Sequence, residues 1–589
     1  MKNEPTRIFD LVKYRQDTYP TSSIFSYKEE KKWKKLSNEE FQQQIDELSK
    51  GLIALGVKPQ DKVGIVSENR IEWSLLDFAI QQIGAIVVAL YPNISDNDYK
   101  YILNHAEVNI IFISNKDLYQ RIFNLKADLL TLNNLFILEQ GTVYPHWSIV
   151  NQTGKVISDS EFHTRRNAVQ HEDIATIIYT SGTTGNPKGV MLTHKNLLAD
   201  MMSSEYSFPV TSYMRALSFL PVCHAYERLF HYVYMYKGLT IYYANSMETI
   251  GADMKEVKPH IFSAVPRVLE KVYEKIMKTG ESLTGIKRKL FFWAIALGEK
   301  YELEKDKRSA LYNFQLSIAR KLIFSKWKEA LGGEIVGISS GSAALQERLI
   351  RLYMAAGINI YEGYGLTEAG PCLAVNDFQR GMKLGTVGLP LINIDIKLAE
   401  DGEILAKGDN IMLGYFKDPK GTEEIIKDGW LYTGDIGQWI DGKYLKIIDR
   451  KKEMFKTSGG KYIVPQPIES KMVESLFIEQ FMVIGEGEKF PAAFIVPSYN
   501  NLLDWAKESA MQLTSLSKED FLAQKEIKEK ITHEINRINT SFGQWEQIKK
   551  FSIIPEEFTI EGGELTPTLK MKRKKIIEKY SKNYKEIYN

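Results

Sequence analysis

The chain has 589 residues, 44% hydrophobic and 25% charged, with Lys plus Arg exceeding Asp plus Glu by 2. That composition excludes a disordered, collagen-like or disulfide-rich chain, and the balance gives no support for a nucleic-acid coat or an acidic tail. Only Cys223 and Cys372 are present, which excludes a disulfide framework and a Cys-rich zinc site and makes a reducing cytoplasm the expected setting. The N-terminal stretch has no apolar core of signal-peptide length. The longest apolar contender, 80–90, is too short to span a bilayer and contains Gln81 and Gln82.

In chain order, the first part alternates helix-like and strand-like pieces. Ser37 with Glu40 has the capping-box pattern and predicts a helix through Leu52. Lys62–Val66 reads as a short strand, 73–83 as a helix, and Ile86–Leu90 and Val108–Ile113 as buried strands. This alternation predicts an α/β layered fold with mainly parallel sheets. Residues 281–330 differ, forming a long, Gly-poor helical stretch in which Lys287, Arg288 and Lys289 precede the apolar run 290–297. The ordinary expectation is an amphipathic helix packed on the core. The sharper one is a surface whose bases meet lipid head groups and whose aromatics meet acyl chains. After Asp449, Arg450, Lys451 and Lys452 the style changes. A hairpin at 481–484 and 492–496, a helical region at 502–538 and a strand at 551–554 predict a small α+β domain over 451–589, beside a large domain over 1–450.

The most informative segment is 177–190. A β-branched run leads into Thr180, Ser181, Gly182, Thr183, Thr184 and Gly185, then Asn186, Pro187, Lys188 and Gly189. Glycines permit close approach of a ligand, hydroxyls and exposed N–H groups bind phosphate oxygens, and Lys188 adds a charge. A surface Gly/Thr turn seldom combines these behind a buried strand. The loop is not a Walker A motif, because Lys188 precedes Gly189 and Val190 follows. A P-loop kinase or motor is therefore disfavoured.

Other segments carry chemistry further along. His224 lies within 220–228, where a structural histidine is the default reading. Gly341, Ser342 and Ala343 follow an apolar strand at 335–338, and a small-residue loop there lets a flat ring lie against backbone. Glu362, Gly363, Tyr364, Gly365, Thr367 and Glu368 supply tight backbone, a stacking face and a carboxylate suited to Mg²⁺ with phosphate oxygens. Glu368 also reads as a helix N-terminal acid. Asp435 closes the segment 430–435, Ser458, Gly459, Gly460 and Lys461 form a basic turn, and Lys570 sits in 565–573. The cluster Lys572, Arg573, Lys574 and Lys575 reads as a solvated face.

Taken in this order, the motifs resemble the adenylate-forming superfamily of acyl-CoA synthetases, luciferases and peptide-synthetase adenylation domains, from about residue 30 to 575. The resemblance implies that the 180–188 loop holds ATP phosphates, that Thr184 and Glu368 hold Mg²⁺, and that His224 sits beside the acyl and adenylate site. It implies that Gly341, Ser342, Ala343, Glu362, Gly363, Tyr364, Gly365 and Thr367 surround adenine and the α-phosphate. Asp435 and Arg450 would take the ribose, Lys452 would be the hinge pivot of a mobile C-terminal domain, and Ser458, Gly459, Gly460 and Lys461 would meet the pantetheine arm of CoA. Lys570 would be the catalytic lysine. Thr568 and Leu569 stand where many members have Ser-Gly, a variant similar to long-chain acyl-CoA synthetases. The implied reaction joins a carboxylate to AMP, releases pyrophosphate, and passes the acyl group to CoA.

The 281–330 insertion and the sequence form around Tyr364 and Lys570 look like the long-chain fatty acid–CoA ligase branch. That implies fatty acid, ATP and CoA as small-molecule partners, Mg²⁺ as cofactor, and no nucleic acid. Peripheral contact with lipid at the inner face of the membrane and the oligomeric state stay open. So do four rivals. A fatty acyl-AMP ligase often carries an extra interdomain segment, and none is evident. A peptide-synthetase module continues into a carrier domain, whereas this sequence ends at Asn589. A luciferase shares the first half-reaction, and a non-catalytic lipid-binding protein requires a broken motif.

Overall fold

The computed structural model describes residues 4–20, 23–180, 186–246, 248–509, 511, 516–566 and 570–589. The chain divides into two compact units. One comprises Met1–Lys397, Leu405–Tyr432 and Trp439–Leu445, and the other Leu398–Ile404, Thr433–Gln438 and Lys446–Asn589. The division is thus not a single cut at 450, the boundary expected from sequence. Two short segments and the strand end 446–450 fall with the C-terminal unit.

The larger unit is built on two sheets. The seven-stranded sheet has the order Gly414–Tyr415, Lys188–Thr193, Ile174–Thr180, Ile86–Leu90, Lys62–Val66, Val108–Ile113 and Asn134–Ile137. Its last five strands are parallel. Ile86–Leu90 is buried along its whole length, as a strand covered on both faces must be. The nine-stranded sheet runs Leu389–Pro390, Ala374–Val375, Ile360–Tyr364, Gly337–Ser340, Ile261–Ala264, Arg215–Ser218, Thr240–Tyr243, Phe25–Glu29 and Lys32–Leu36. Its central strands are parallel too. The capping box forms as expected: the Ser37 hydroxyl accepts from the Glu40 N–H, opening the helix Asn38–Ala54. The helix expected at 73–83 runs over Ile71–Gln81 instead.

The 281–330 stretch is several helices, not one. Gly285–Gly298 is followed by Ala310–Ala319, a π-helical turn Arg320–Phe324, and Ser325–Ala330. Phe291, Ala294, Ile295 and Leu297 are buried together with Leu316, Ala319, Phe324 and Trp327. The apolar run is therefore core, and the ordinary expectation holds for it. Phe292 and Trp293 pack against the same cluster.

In the C-terminal unit, Ile478–Ile484 pairs antiparallel with Ala492–Pro497, which pairs parallel with Lys550–Ile553. Side chains alternate between the sheet's two faces. Phe481 and Val483 join a core with Ile527, Ile531 and Ile535, whereas Met482 and Ile484 face Phe494, Val496 and Ile576. The basic cluster at 572–575 is not uniformly solvated. Arg573 is largely buried and donates to Glu469 at 2.7 Å and Glu453 at 3.3 Å. Burial alone would lower its pKa, but the two carboxylates raise it.

Candidate active site

In the larger unit the phosphate segment is a β-hairpin. Ile174–Thr180 and Lys188–Thr193 pair antiparallel, with Thr180 opposite Lys188 and Tyr179 opposite Gly189. Ser181, Gly182, Thr183, Thr184 and Gly185 lie outside the described residues. A side chain at Gly189 would begin 2.9 Å from Ile177 and 3.1 Å from the Tyr179 ring, so the hairpin closes this tightly only with glycine there.

On its other edge the return strand pairs with Gly414–Tyr415, placing Tyr415 opposite Val190. Tyr415 then connects two expected site residues. The Lys188 ammonium lies 4.5 Å from the centre of its ring, and its hydroxyl donates to Glu368 Oε1 at 2.8 Å. Burial and the Glu368 charge push the Tyr415 phenol up, so it stays a donor. Lys188 also meets Asp418 at 3.3 Å, and Asp418 caps the helix Pro419–Ile425 by accepting from the Gly421 N–H. Both partners of that ion pair are about 40% exposed, so it orients more than it stabilises. Tyr415 and Asp418 were not singled out from sequence. The only local signal was the Asp-Pro helix start at 418–419.

Glu368 lies on the short 3-10 turn Thr367–Ala369, and its carbonyl accepts from the Met412 N–H at 2.9 Å. Gly365, just before it, is sterically required: a Cβ would fall 2.0 Å from the Pro371 carbonyl oxygen. Gly363 faces no such contact. Among the described residues no group of three His, Cys, Asp or Glu could cage a metal. One oriented carboxylate beside a phosphate-binding cation does fit Mg²⁺, which is usually held by one or two carboxylates plus substrate phosphates.

Glu362 and the 341–345 loop face each other across neighbouring parallel strands, with Ser340 opposite Glu362. The Leu345 N–H donates to Glu362 Oε1 at 3.4 Å, and burial pushes this carboxyl up to about 8. Burial thus favours the neutral form of Glu362, whose Oε1 braces the loop by accepting from Leu345. Ser342 takes a left-handed conformation, φ 69°. Tyr226 abuts Gly341, where a Cβ would meet its ring at 3.0 Å, and shares a 2.9 Å hydrogen bond with Ser339.

That tyrosine comes from the helix Ala225–Tyr236, for which His224 is the N-cap. His224 Nδ1 accepts from the Tyr226 N–H at 3.2 Å. In the neutral ring the proton then sits on Nε2. Asn69 fixes the approach by donating to the Leu220 carbonyl and accepting from the Val222 N–H. Arg228 anchors the helix behind. It is buried against Asp77, donates to Thr176 Oγ1 at 2.8 Å and to the Tyr232 hydroxyl at 2.7 Å, and so ties the His224 helix to the phosphate strand.

The remaining expected residues belong to the C-terminal unit. Asp435 is buried and pairs with Arg450 at 3.2 Å. Lys451 bridges Asp401 and Glu403 at 2.5 and 2.8 Å, next to an exposed Lys452. Ser458, Gly459, Gly460 and Lys461 form the turn of a small hairpin, Phe455–Lys456 with Tyr462–Ile463. There the Lys461 ammonium lies 5.7 Å from the ring centre of a half-exposed Trp545. Lys570 is exposed. Its N–H donates to Thr566 Oγ1 at 3.0 Å while its carbonyl accepts from the Thr566 N–H at 2.8 Å. Pro567, Thr568 and Leu569 lie outside the described residues.

The AMP-binding enzyme family matches residues 13–416, and its C-terminal domain matches residues 453–589. The chain belongs to the AMP-binding enzyme family. Among relatives, the Mycobacterium tuberculosis long-chain-fatty-acid–CoA ligase FadD15 is 31% identical, covering 95% of this chain and 93% of its own. Human long-chain-fatty-acid–CoA ligase 1 is 32% identical, covering 93% of this chain and 82% of its own. Solved structures share the fold. The anthranilate CoA ligase AuaEII bound to anthranoyl-AMP gives a TM-score of 0.73 at 17% identity, over 98% of both chains. The adenylation domain of a Segniliparus rugosus carboxylic acid reductase gives 0.75 at 17%, over 98% of this chain and 94% of its own. The resemblance noted from the motifs is thus borne out at the level of family and fold.

Proposed function

We propose that the protein is an AMP-forming long-chain fatty acid–CoA ligase. The observation that carries this reading is the Lys188–Tyr415–Glu368 arrangement: a cation for phosphate and a carboxylate for magnesium, set on adjoining elements by one tyrosine. The naming of full-length relatives as long-chain-fatty-acid–CoA ligases supports the substrate class.

In the first half-reaction the acid's carboxylate attacks the α-phosphate of ATP. Two anions approach, so the site must neutralise charge and hold the groups in line. Magnesium, when bound, supplies part of that neutralisation. Lys188 and the 180–185 loop hold the phosphates, the 341–345 loop and Tyr364 hold adenine, and Asp435 and Arg450 the ribose. Lys570 bridges carboxylate and phosphate oxygens. His224, its tautomer set by the Tyr226 N–H, presents Nε2–H to the acyl carboxylate. In the second half, rotation at Lys452 brings the 458–461 turn to CoA, a hinge motion of the C-terminal unit.

The direct test is a ladder of acids from acetate to C20 with ATP and Mg²⁺, with and without CoA. Each buried CH₂ contributes about 0.8 kcal/mol, so kcat/KM is expected to climb with chain length in a deep apolar tunnel. A flat response rejects the long-chain assignment. Adenylate that accumulates but never reaches CoA points to an acyl-AMP ligase. Tyr415→Phe isolates the positioning of Glu368. Losing an outer partner of a metal ligand typically costs 10–100-fold, so the Mg²⁺ needed for half-maximal adenylation should rise about tenfold. An unchanged requirement would show that Tyr415 does not orient this carboxylate. We also infer a cytoplasmic setting from the two lone cysteines; among the described residues no helix is long and apolar enough to cross a membrane.

A further inference from the structure

The helices at 285–330 bury the apolar run but expose a different set of large apolar side chains. Ile286 is 76% exposed, Leu311 67%, Phe314 63% and Leu322 50%. Leu311 and Phe314 fall at i and i+3 on the helix Ala310–Ala319, a spacing that keeps them on one side of it, and Leu322 follows on the π turn Arg320–Phe324. The opposite stripe, Leu316, Ala319 and Phe324, is buried. Ile286 stands on the adjacent helix Gly285–Gly298, which packs along Ala310–Ala319 and is tied to it by the Tyr312 hydroxyl donating to the Leu297 carbonyl at 2.9 Å.

Charge is concentrated on the same helices. Residues 285–330 hold 11 Lys and Arg against 5 Asp and Glu, in a chain whose whole excess is 2, so the rest of the sequence is net acidic. Four of those five acids are engaged in ion pairs: Glu299 with Arg348, Glu302 with Arg351, Glu304 with Lys307, and Glu329 with Lys326. Lys287, Arg288 and Lys289 are exposed next to Ile286, and Lys321 is exposed next to Leu322. Two of the protruding apolar groups, Ile286 and Leu322, thus have exposed cations directly beside them. A soluble partner surface has no reason to match separate apolar tips set among lysines. A bilayer with anionic head groups does, because the tips enter the acyl boundary while the ammonium groups remain at phosphate depth.

We propose that Ile286, Leu311, Phe314 and Leu322, framed by Lys287, Arg288, Lys289 and Lys321, form a docking face for an anionic lipid bilayer. This goes beyond the ligase reading and rests on vesicle binding alone. The aromatics expected from sequence to meet acyl chains, Phe291 and its neighbours, do not form it, since they belong to the core.

The test is flotation of the full chain with vesicles of phosphatidylcholine alone or with 30% phosphatidylglycerol, scaled on the assumption of roughly that anionic content. The two variants are Leu311→Ser/Phe314→Ser and Lys287→Glu/Lys289→Glu/Lys321→Glu. All five positions are exposed, so folding should survive, checked by an unchanged melting curve rather than by activity. Wild type should bind the anionic vesicles and release them at high salt. Each variant should lose binding by about tenfold or more, given the per-residue contributions of exposed bases and apolar tips. Absence of wild-type binding, equal binding to neutral vesicles, or wild-type binding by both variants would overturn the proposal. A concentration-dependent dimer dissolved by Leu311→Ser/Phe314→Ser, without vesicle binding, would assign the face to a second copy instead. Ligase activity plays no part in the readout, so its failure and this one remain distinct.

Discussion

Lys570→Ala should abolish most adenylate formation while leaving thioester formation from supplied acyl-AMP near the wild-type rate. The first half-reaction brings a carboxylate against a phosphate, and removing one positioned donor at developing charge typically costs about 10²–10³-fold. The second half-reaction breaks a mixed anhydride with a thiol and does not need that bridge. The substitution is structurally mild. Lys570 is exposed, and its backbone bonds to Thr566 do not involve the ammonium. Pyrophosphate release without CoA and acyl-CoA from acyl-AMP, measured on one preparation, separate the steps. Equal loss of both would contradict the division of labour.

Asp77→Ala should be the most destabilising single change at the back of the site. Asp77 and Arg228 are each about 1% exposed. The Tyr232 hydroxyl and the Gln81 amide donate to the carboxylate at 2.8 and 2.7 Å, and the guanidinium lies 5.3 Å from the Trp73 ring centre. Burial would lower the pKa of Arg228, but the Asp77 charge outweighs it and raises it. Removing the carboxylate strands a buried cation, at a cost of about 3–5 kcal/mol. Replacing both partners, Asp77→Leu with Arg228→Met, should recover much of the loss, because no unpaired charge remains. Urea unfolding followed by far-UV circular dichroism reads both. A double variant no more stable than Asp77→Ala would mean that the cost lies in the surrounding hydrogen bonds rather than in the stranded charge.

The strands Lys62–Val66, Ile86–Leu90 and Val108–Ile113 were legible because buried parallel strands are short β-branched runs. The helix at 38–54 was legible because its capping box is a local exchange between Ser37 and Glu40. The 281–330 stretch was legible as helical because it is Gly-poor and carries a basic cluster beside an apolar run. The observed breaks, with a π turn at Arg320–Phe324, depend on how each piece meets the core. Arg573 looked solvated because its neighbours are lysines. Its partners Glu453 and Glu469 lie more than one hundred residues earlier.

By itself the sequence singled out the candidate residues: the Lys188 loop, the Glu368 carboxylate, the His224 segment and Lys570 are local patterns of residue type, and local patterns survive without knowledge of what lies across a sheet. Only the tertiary structure decided how these residues are held. Tyr415 meets Lys188 and Glu368 because strand pairing brings distant segments within hydrogen-bond distance, and Asp77 meets Arg228 because two helices share a core. The same holds for the surface. Whether a leucine or phenylalanine in an amphipathic helix is core or exposed depends on which stripe its neighbours cover, and packing alone turned Phe291 inward and Phe314 outward.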